Sequence, residues 1–311
     1  MKKDIIYLEQ YLKSNRIGLG AFACVFKIDN KALKVFFREN LQKHNAKNEI
    51  RMLKNLKHPN IPKFYNSGKI DNKYPSILME YIEGITLHEL TGLNRIVKDI
   101  ISENTIKAIL LQTTEVLSFL HSKNIVHRDI KPTSFMISRN GIVKLIDFAT
   151  VKKIKKDFLR ISGMNAEYKA VEQVTNKITY CKSDIWSLGT IVYELITGRQ
   201  LFDYETIDEI ETTETVIPDC NYDLKSLLKL MLQRDVSKRI SSIELWQETK
   251  ELMNREVSEI ILKKFVSYYL NSPACQAYLE RARNCYPFEL LDLMPFIEQA
   301  KTEKEIHAIA V

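Results

Sequence analysis

The sequence predicts an α+β chain of two lobes, a small β-rich lobe ending near residue 82 and a larger helical lobe after it. Three observations carry this. Residues 15 to 38 alternate in the manner of strands, broken by a glycine turn and an Asp29-Asn30 turn. Apolar residues Ile106, Ile109, Leu110, Val116, Leu117 and Leu120, with Thr113, recur at the spacing of a helix packed on a core. From Ser183 onward helical spacing dominates, with no internal repeat and no low-complexity linker.

Taken in order, Phe22, Val25, Phe26 and Ile28 form one strand, and Ala32, Leu33, Val35 and Phe36 the next. From Glu39 to Leu56 the spacing turns helical, with Ile50, Leu53 and Leu56 on one face and His58-Pro59-Asn60 ending it. Residues 77 to 82 read as another strand, closed by Glu83-Gly84. Apolar runs at 135–137 and 142–146, joined by Asn140-Gly141, predict a small hairpin. Toward the end, Val257, Ile260, Ile261 and Phe265 fit one helix face, and Ser272-Pro273 reads as a cap with a first-turn proline. Pro287 and Pro295 break the rest of the chain into short pieces. The expected organisation is one domain over residues 12–250, with lobes 12–82 and 83–250, and a helical C-terminal extension over 251–311. That extension is expected to pack on the large lobe; a partner-binding module is the alternative.

Composition excludes several classes. With 311 residues, 45% apolar and 27% charged, the chain has the balance of a soluble globular protein rather than a disordered or fibrous one. No apolar run reaches the ~20 residues of a membrane span, and the N-terminus does not resemble a signal peptide. Net charge is 46 − 39 = +7, much of it local to Lys152, Lys153, Lys155, Lys156 and Arg160. Cysteines at 24, 181, 220, 275 and 285 are odd in number and form no C-x-x-C, so a reducing, cytoplasmic setting is expected.

Gly18 and Gly20 lie in Ile17-Gly-Leu-Gly-Ala-Phe-Ala-Cys-Val25, a turn whose backbone N–H groups are suited to approach phosphates. Nine residues on, Lys34 sits among apolar strand residues and needs a counter-charge, for which Glu49 on the following helix is the candidate. Further along the chain are Ile125-Val-His-Arg-Asp129-Ile-Lys131-Pro132 and then Lys144-Leu-Ile-Asp147-Phe148-Ala149. These motifs, in this order and spacing over roughly residues 12 to 250, resemble the eukaryotic-type protein kinases.

The resemblance implies a two-lobed kinase fold, Mg–ATP as phosphoryl donor with Mn²⁺ able to serve, and a protein substrate. It implies a nucleotide site of Ile17, Gly18, Gly20, Val25, Ala32, Lys34, Met79, Glu80, Ile82 and Met136. Of these Met79 is at the gatekeeper position, and residues 80 to 82 form the adenine-reading hinge. Asp129 resembles the aspartate that receives the acceptor hydroxyl's proton, and Lys131 the lysine of Ser/Thr-specific members that neutralises the transferring phosphate. Asp147 matches the metal-binding aspartate. Ala170-Val-Glu172, Asp184 and Arg239 resemble the segment closing and bracing the activation region, with Glu172 and Arg239 as a bidentate pair. Arg128 resembles an arginine that meets a phosphorylated activation segment, with Ser162 and then Thr150 as acceptors.

Four positions depart from the family pattern: Ala23, Ala149, Asn165, and Ser134 where the usual asparagine binds a second metal and braces the loop. The expected function is phosphoryl transfer to Ser/Thr hydroxyls; the alternative is a nucleotide-binding pseudokinase acting as scaffold or allosteric partner. The basic run falls inside the activation segment, so phosphate or substrate contacts are expected there rather than nucleic acid.

Overall fold

The computed structural model describes residues 15–19, 23–37, 40–70, 74–96, 101–154, 158–160, 167–202, 215–273 and 275–277. Gly20, Lys155, Lys156, Ser162, Asn165, Pro287 and Pro295 lie outside them. The chain divides into two units, one holding Ile61–Ile82 and the described residues up to Lys57, the other holding His58–Asn60 and Glu83–Cys275.

The first unit is built on an antiparallel sheet of β1 (Arg16–Leu19), β2 (Ala23–Ile28), β3 (Lys31–Phe36), β4 (Phe64–Ile70) and β5 (Tyr74–Glu80), in the order β1-β2-β3-β5-β4. Asp29 adopts φ 51° in the turn between β2 and β3, a conformation Asp tolerates better than most side chains. One sheet face closes a core of Cys24, Phe26, Ile28, Leu33, Val35, Ile70, Tyr74 and Leu78. Helix α1 (Asn40–Asn55) packs on β3, β4 and β5. Its buried stripe is Ala46, Glu49, Met52 and Leu53, with Leu56 just beyond; Ile50, expected on that face, is only half-buried. The stripe is rotated because it is centred on a carboxylate, Glu49, which a hydrophobic pattern does not count.

The second unit opens with β6 (Gly84–Thr86), α2 (Leu87–Ile96) and α3 (Glu103–Ser122), the last started by Ser102, whose Oγ accepts the Thr105 N–H at 3.2 Å. Every residue of the α3 stripe expected from the sequence is buried. Then come β7 (Ile125–Val126), β8 (Phe135–Ser138), β9 (Val143–Leu145), β10 (Lys152–Lys153) and β11 (Leu159–Arg160). After α4 (Val171–Thr175) and β12 (Ile178–Thr179) the chain is helical: α5 (Cys181–Thr197), α6 (Tyr222–Met231), α7 (Ser242–Leu252) and α8 (Arg255–Asn271). No helix among the described residues is long and apolar enough to cross a membrane.

One expectation about the C-terminal region is corrected. The buried face of α8 is Ser258, Leu262, Val266 and Tyr269, one position over from Val257 and Ile260, which are exposed. Ser258 sets that rotation, because its Oγ donates to the Ala108 carbonyl at 3.1 Å and accepts from Gln112 at 2.9 Å. Ser272 separates α8 from the helical residues that begin at Pro273, as its sequence predicts, and it also closes α8, its N–H reaching the Tyr269 carbonyl at 3.4 Å. The helix packs on α3, and its backbone crosses the β8–β9 turn so closely that a Cβ on Gly141 (φ 80°) would overlap the Glu259 carbonyl. Only glycine fits that turn.

Candidate active site

In the first unit, strand register places the side chains. Val25 is opposite Lys34 on β3, and Ala32 is opposite Met79 on β5. Lys34 Nζ meets both Glu49 carboxylate oxygens at 2.7 and 2.8 Å, and the Glu49 carboxylate is wholly buried. Gly18 pairs with Val25 across β1 and β2. A Cβ at Gly18 would rest 3.6 Å from Val25, an ordinary contact, so the folded chain itself does not demand glycine there. Ile17 is exposed, Met79 and Ile82 are buried, and the Glu80 carboxylate accepts the Lys63 N–H at 3.0 Å.

In the second unit, a clamp holds the loop carrying Asp129. Asp184, at the first turn of α5, accepts the backbone N–H groups of His127 at 2.8 Å and Arg128 at 2.9 Å. His121 Nε2 lies 2.9 Å from the same carboxylate. This clamp secures a strained residue, since Arg128 sits at φ 73°. His127 Nε2 is 2.5 Å from the Asp147 carbonyl, and Arg128 Nε donates to the Thr150 carbonyl at 2.6 Å. Antiparallel pairing of β7 with β10 adds a backbone tie between the strand before Asp129 and the segment after Asp147.

Lys131 Nζ lies 2.8 Å from Asp129 Oδ2, and both side chains remain partly open to solvent. Burial works against the Lys131 ammonium, but the Asp129 carboxylate outweighs it and holds the pKa above its ordinary value. Ser134 is buried, and its Oγ donates to the Asp129 carbonyl at 3.1 Å. Its own carbonyl accepts the Ile146 N–H at 2.8 Å. Ser134 thus supports the backbone of both Asp129 and the strand leading to Asp147. Met136 is on β8, opposite Thr86 and Lys144. Ala149 donates its N–H to Asp147 Oδ1 at 3.1 Å and has no positive φ, so the methyl in place of glycine is unstrained in this conformation.

The bracing pair is complete. Arg239 Nη1 and Nη2 meet the two Glu172 oxygens at 2.8 and 3.0 Å, its Nε donates to the Gln233 carbonyl at 2.8 Å, and its guanidinium lies 5.0 Å from the Trp186 ring centre. Ser183 Oγ adds a donor to Glu172 at 2.6 Å. Thr150 Oγ1 is engaged with the His127 carbonyl at 2.9 Å.

Sequence patterns do not single out several residues near Asp129. Tyr168 Oη donates to the fully buried Glu194 at 2.9 Å, Arg95 reaches that carboxylate at 2.6 Å, and Lys169 stands beside Asp129, Arg128 and Lys131. The one sequence signal for Tyr168 and Lys169 is adjacency to Ala170-Val171-Glu172. Likewise Gln112, in the middle of α3, binds Asn60, Val143, Gly141 and Ser258, a set assembled only by folding.

A family model described as the protein kinase domain matches residues 11–253. Among curated proteins, the chain is 31% identical over 267 residues to the serine/threonine-protein kinase ULK3 of Xenopus laevis, covering 77% of this chain and 54% of that protein. It is 30% identical over 264 residues to human serine/threonine-protein kinase ULK1, covering 76% of this chain and 25% of that one. To serine/threonine-protein kinase PLK4 of Drosophila virilis it is 28% identical over 251 residues, covering 75% and 32% respectively. The chain therefore spans about half the length of the first of these relatives and a quarter to a third of the others.

Proposed function

This chain belongs to the protein kinase family, and from that premise we propose that it transfers the γ-phosphoryl group of ATP to Ser or Thr hydroxyls of protein substrates. The observation that carries the proposal is the Asp129–Lys131 pair, solvent-accessible at one end and held by a backbone that Asp184 and Ser134 brace. A carboxylate so placed can orient a hydroxyl and receive its proton, while the adjacent ammonium offsets charge on the transferring phosphoryl group. Catalysis of this transfer is mostly positioning and electrostatics, which is why a braced loop matters.

In this reading Lys34, fixed by Glu49, holds the α- and β-phosphates. Ile17, Gly18, Gly20, Val25, Ala32, Met79, Glu80, Ile82 and Met136 receive the nucleotide. That Gly18 is not required by packing supports a role in letting a ligand approach the backbone. Asp147 offers the hard carboxylate oxygen that magnesium takes, and magnesium needs only one or two carboxylates besides phosphate and water, so the residues fit it. When bound, magnesium neutralises phosphate charge; manganese, less demanding of geometry, serves in its place. Residues 12–250 form the proposed catalytic domain, with 251–311 as an extension. Four free cysteines among the described residues support a reducing, cytoplasmic setting.

One observation favours the second reading, a nucleotide-binding pseudokinase: the short Ser134 side chain, where the family pattern has the metal-binding asparagine, is wholly buried and tied to the Asp129 carbonyl. Incubating the full chain with labelled ATP, Mg²⁺ or Mn²⁺ and a mixed peptide library separates the two. Label on phosphoserine and phosphothreonine supports the kinase; ATP binding without any transfer supports the pseudokinase.

A further inference from the structure

Beside Asp129 lies an open surface hollow lined by Arg128, Asp129, Ile130, Lys131, Glu167, Tyr168, Lys169 and Ser187. Its enclosed space is only about 20 Å³, far below the ~300–1,000 Å³ of small-molecule pockets, so it is a surface hollow that a substrate side chain lies against rather than a nucleotide site. Three of its lining residues are cations and two are carboxylates. Their engagements differ. Lys131 is paired with Asp129, and Arg128 is held on the Thr150 carbonyl. Lys169 is half-buried yet makes no hydrogen bond or ion pair to any described residue.

Its position is nonetheless built. On one side, Tyr168 is fixed by Glu194 at 2.9 Å and by Gln200 at 3.1 Å. On the other, the fully buried Ala170 donates its N–H to Gln173 Oε1 at 3.0 Å. Burial lowers the Lys169 pKa, Asp129 opposes that, and Lys131, Arg128 and Lys177 reinforce it. An ammonium held half-desolvated among cations is stabilised by any anion delivered to it.

We infer that Lys169 is a specificity residue that receives an acidic group, a carboxylate or a phosphate, carried by the protein substrate within a residue or two of the acceptor hydroxyl. The inference rests on the phosphoryl-transfer reading for the acceptor, but not for the anion. Consecutive residues are ~3.8 Å apart, so a side chain next to an acceptor held at Asp129 comes within reach of the same hollow and of Lys169 on its lining. Glu167, exposed at the rim, disfavours anions but faces solvent, where its charge is screened.

The test uses the purified full chain and one peptide scaffold with a single serine, its neighbour being Gln, Glu, phosphoserine or Lys. Fluorescence anisotropy reads binding, and labelled ATP reads kcat/KM. The Glu and phosphoserine peptides should exceed the Gln peptide by about tenfold, the strength of one charge-assisted contact. Lys169→Met should erase that ratio, and Lys169→Glu should turn it toward the Lys peptide. A larger gain for phosphoserine than for Glu identifies phosphate as the better ligand. A ratio near one in the unaltered chain, or an acidic preference that survives both substitutions, overturns the inference. Transfer to no peptide, alongside Lys169-dependent binding of acidic peptides, refutes the kinase reading while leaving the anion site standing.

Discussion

Arg239 is the most demanding test of how the second unit is held together. Its guanidinium is buried on a buried Glu172 carboxylate, with further donors to the Gln233 and Lys182 carbonyls at 2.8 and 2.9 Å. Arg239→Ala removes both charge-assisted bonds to Glu172 and leaves that carboxylate with the Ser183 hydroxyl as its donor. Breaking one side of a buried pair costs ~3–5 kcal/mol, a large share of a total stability of about 5–15 kcal/mol. At a urea slope of ~3 kcal/mol/M, a loss of ~4 kcal/mol lowers the midpoint by ~1.3 M. Trp186, fully buried against this guanidinium, reports the transition by fluorescence. Replacing both partners by apolar residues of similar size, Glu172→Leu with Arg239→Met, should recover most of the loss, because no stranded charge remains. A cost below ~1 kcal/mol for Arg239→Ala, or a double variant no better than the single, refutes the reasoning.

The same physics sets two further outcomes. His58 Nδ1 accepts the Asn60 N–H at 3.1 Å, which needs a neutral ring; burial lowers its pKa below the ordinary 6.5, with Arg255 and Lys144 adding to that and Glu115 opposing. The unfolded chain then binds the proton more readily, so this contribution is present above pH 6.5 and is lost as pH falls below it; urea denaturation of His58→Gln across that range should show a flatter stability profile below pH 6.5 than the unaltered chain. For Ser134, the Ala variant strands the Asp129 carbonyl at a cost of ~1–3 kcal/mol and should lower the transfer rate, whereas Ser134→Asn, restoring an amide, should keep or raise it. Rates of the three proteins with Mg²⁺ and Mn²⁺ check this, and a Ser134→Asn variant that loses transfer would contradict it.

Much of the pairing chemistry is legible in the sequence: Lys34 and Glu49 meet, Glu172 and Arg239 meet, and the α3 stripe is buried as its spacing predicts. Each of these comes from a local pattern or from motifs whose order carries meaning. Other features are illegible for physical reasons. The α8 face is misread by one position because a serine, not an apolar residue, leads it, and hydrogen bonding to Ala108 and Gln112 decides the rotation. Lys169 has no pattern of its own; its isolation among Arg128, Lys131 and Lys177 exists only after folding. Gln112 reads as a polar gap in an apolar helix, yet it bonds to four residues distant in sequence.

The most direct measurement of the central claim compares labelled-phosphate transfer to serine- and threonine-containing peptides by the unaltered chain and by Asp129→Asn, at matched nucleotide binding. The account predicts transfer by the first and a drop of ~10²–10⁴-fold in the second, since Asn cannot accept the hydroxyl's proton. Equal rates in the two proteins would contradict it, as would an unaltered chain that binds ATP and transfers nothing with either metal.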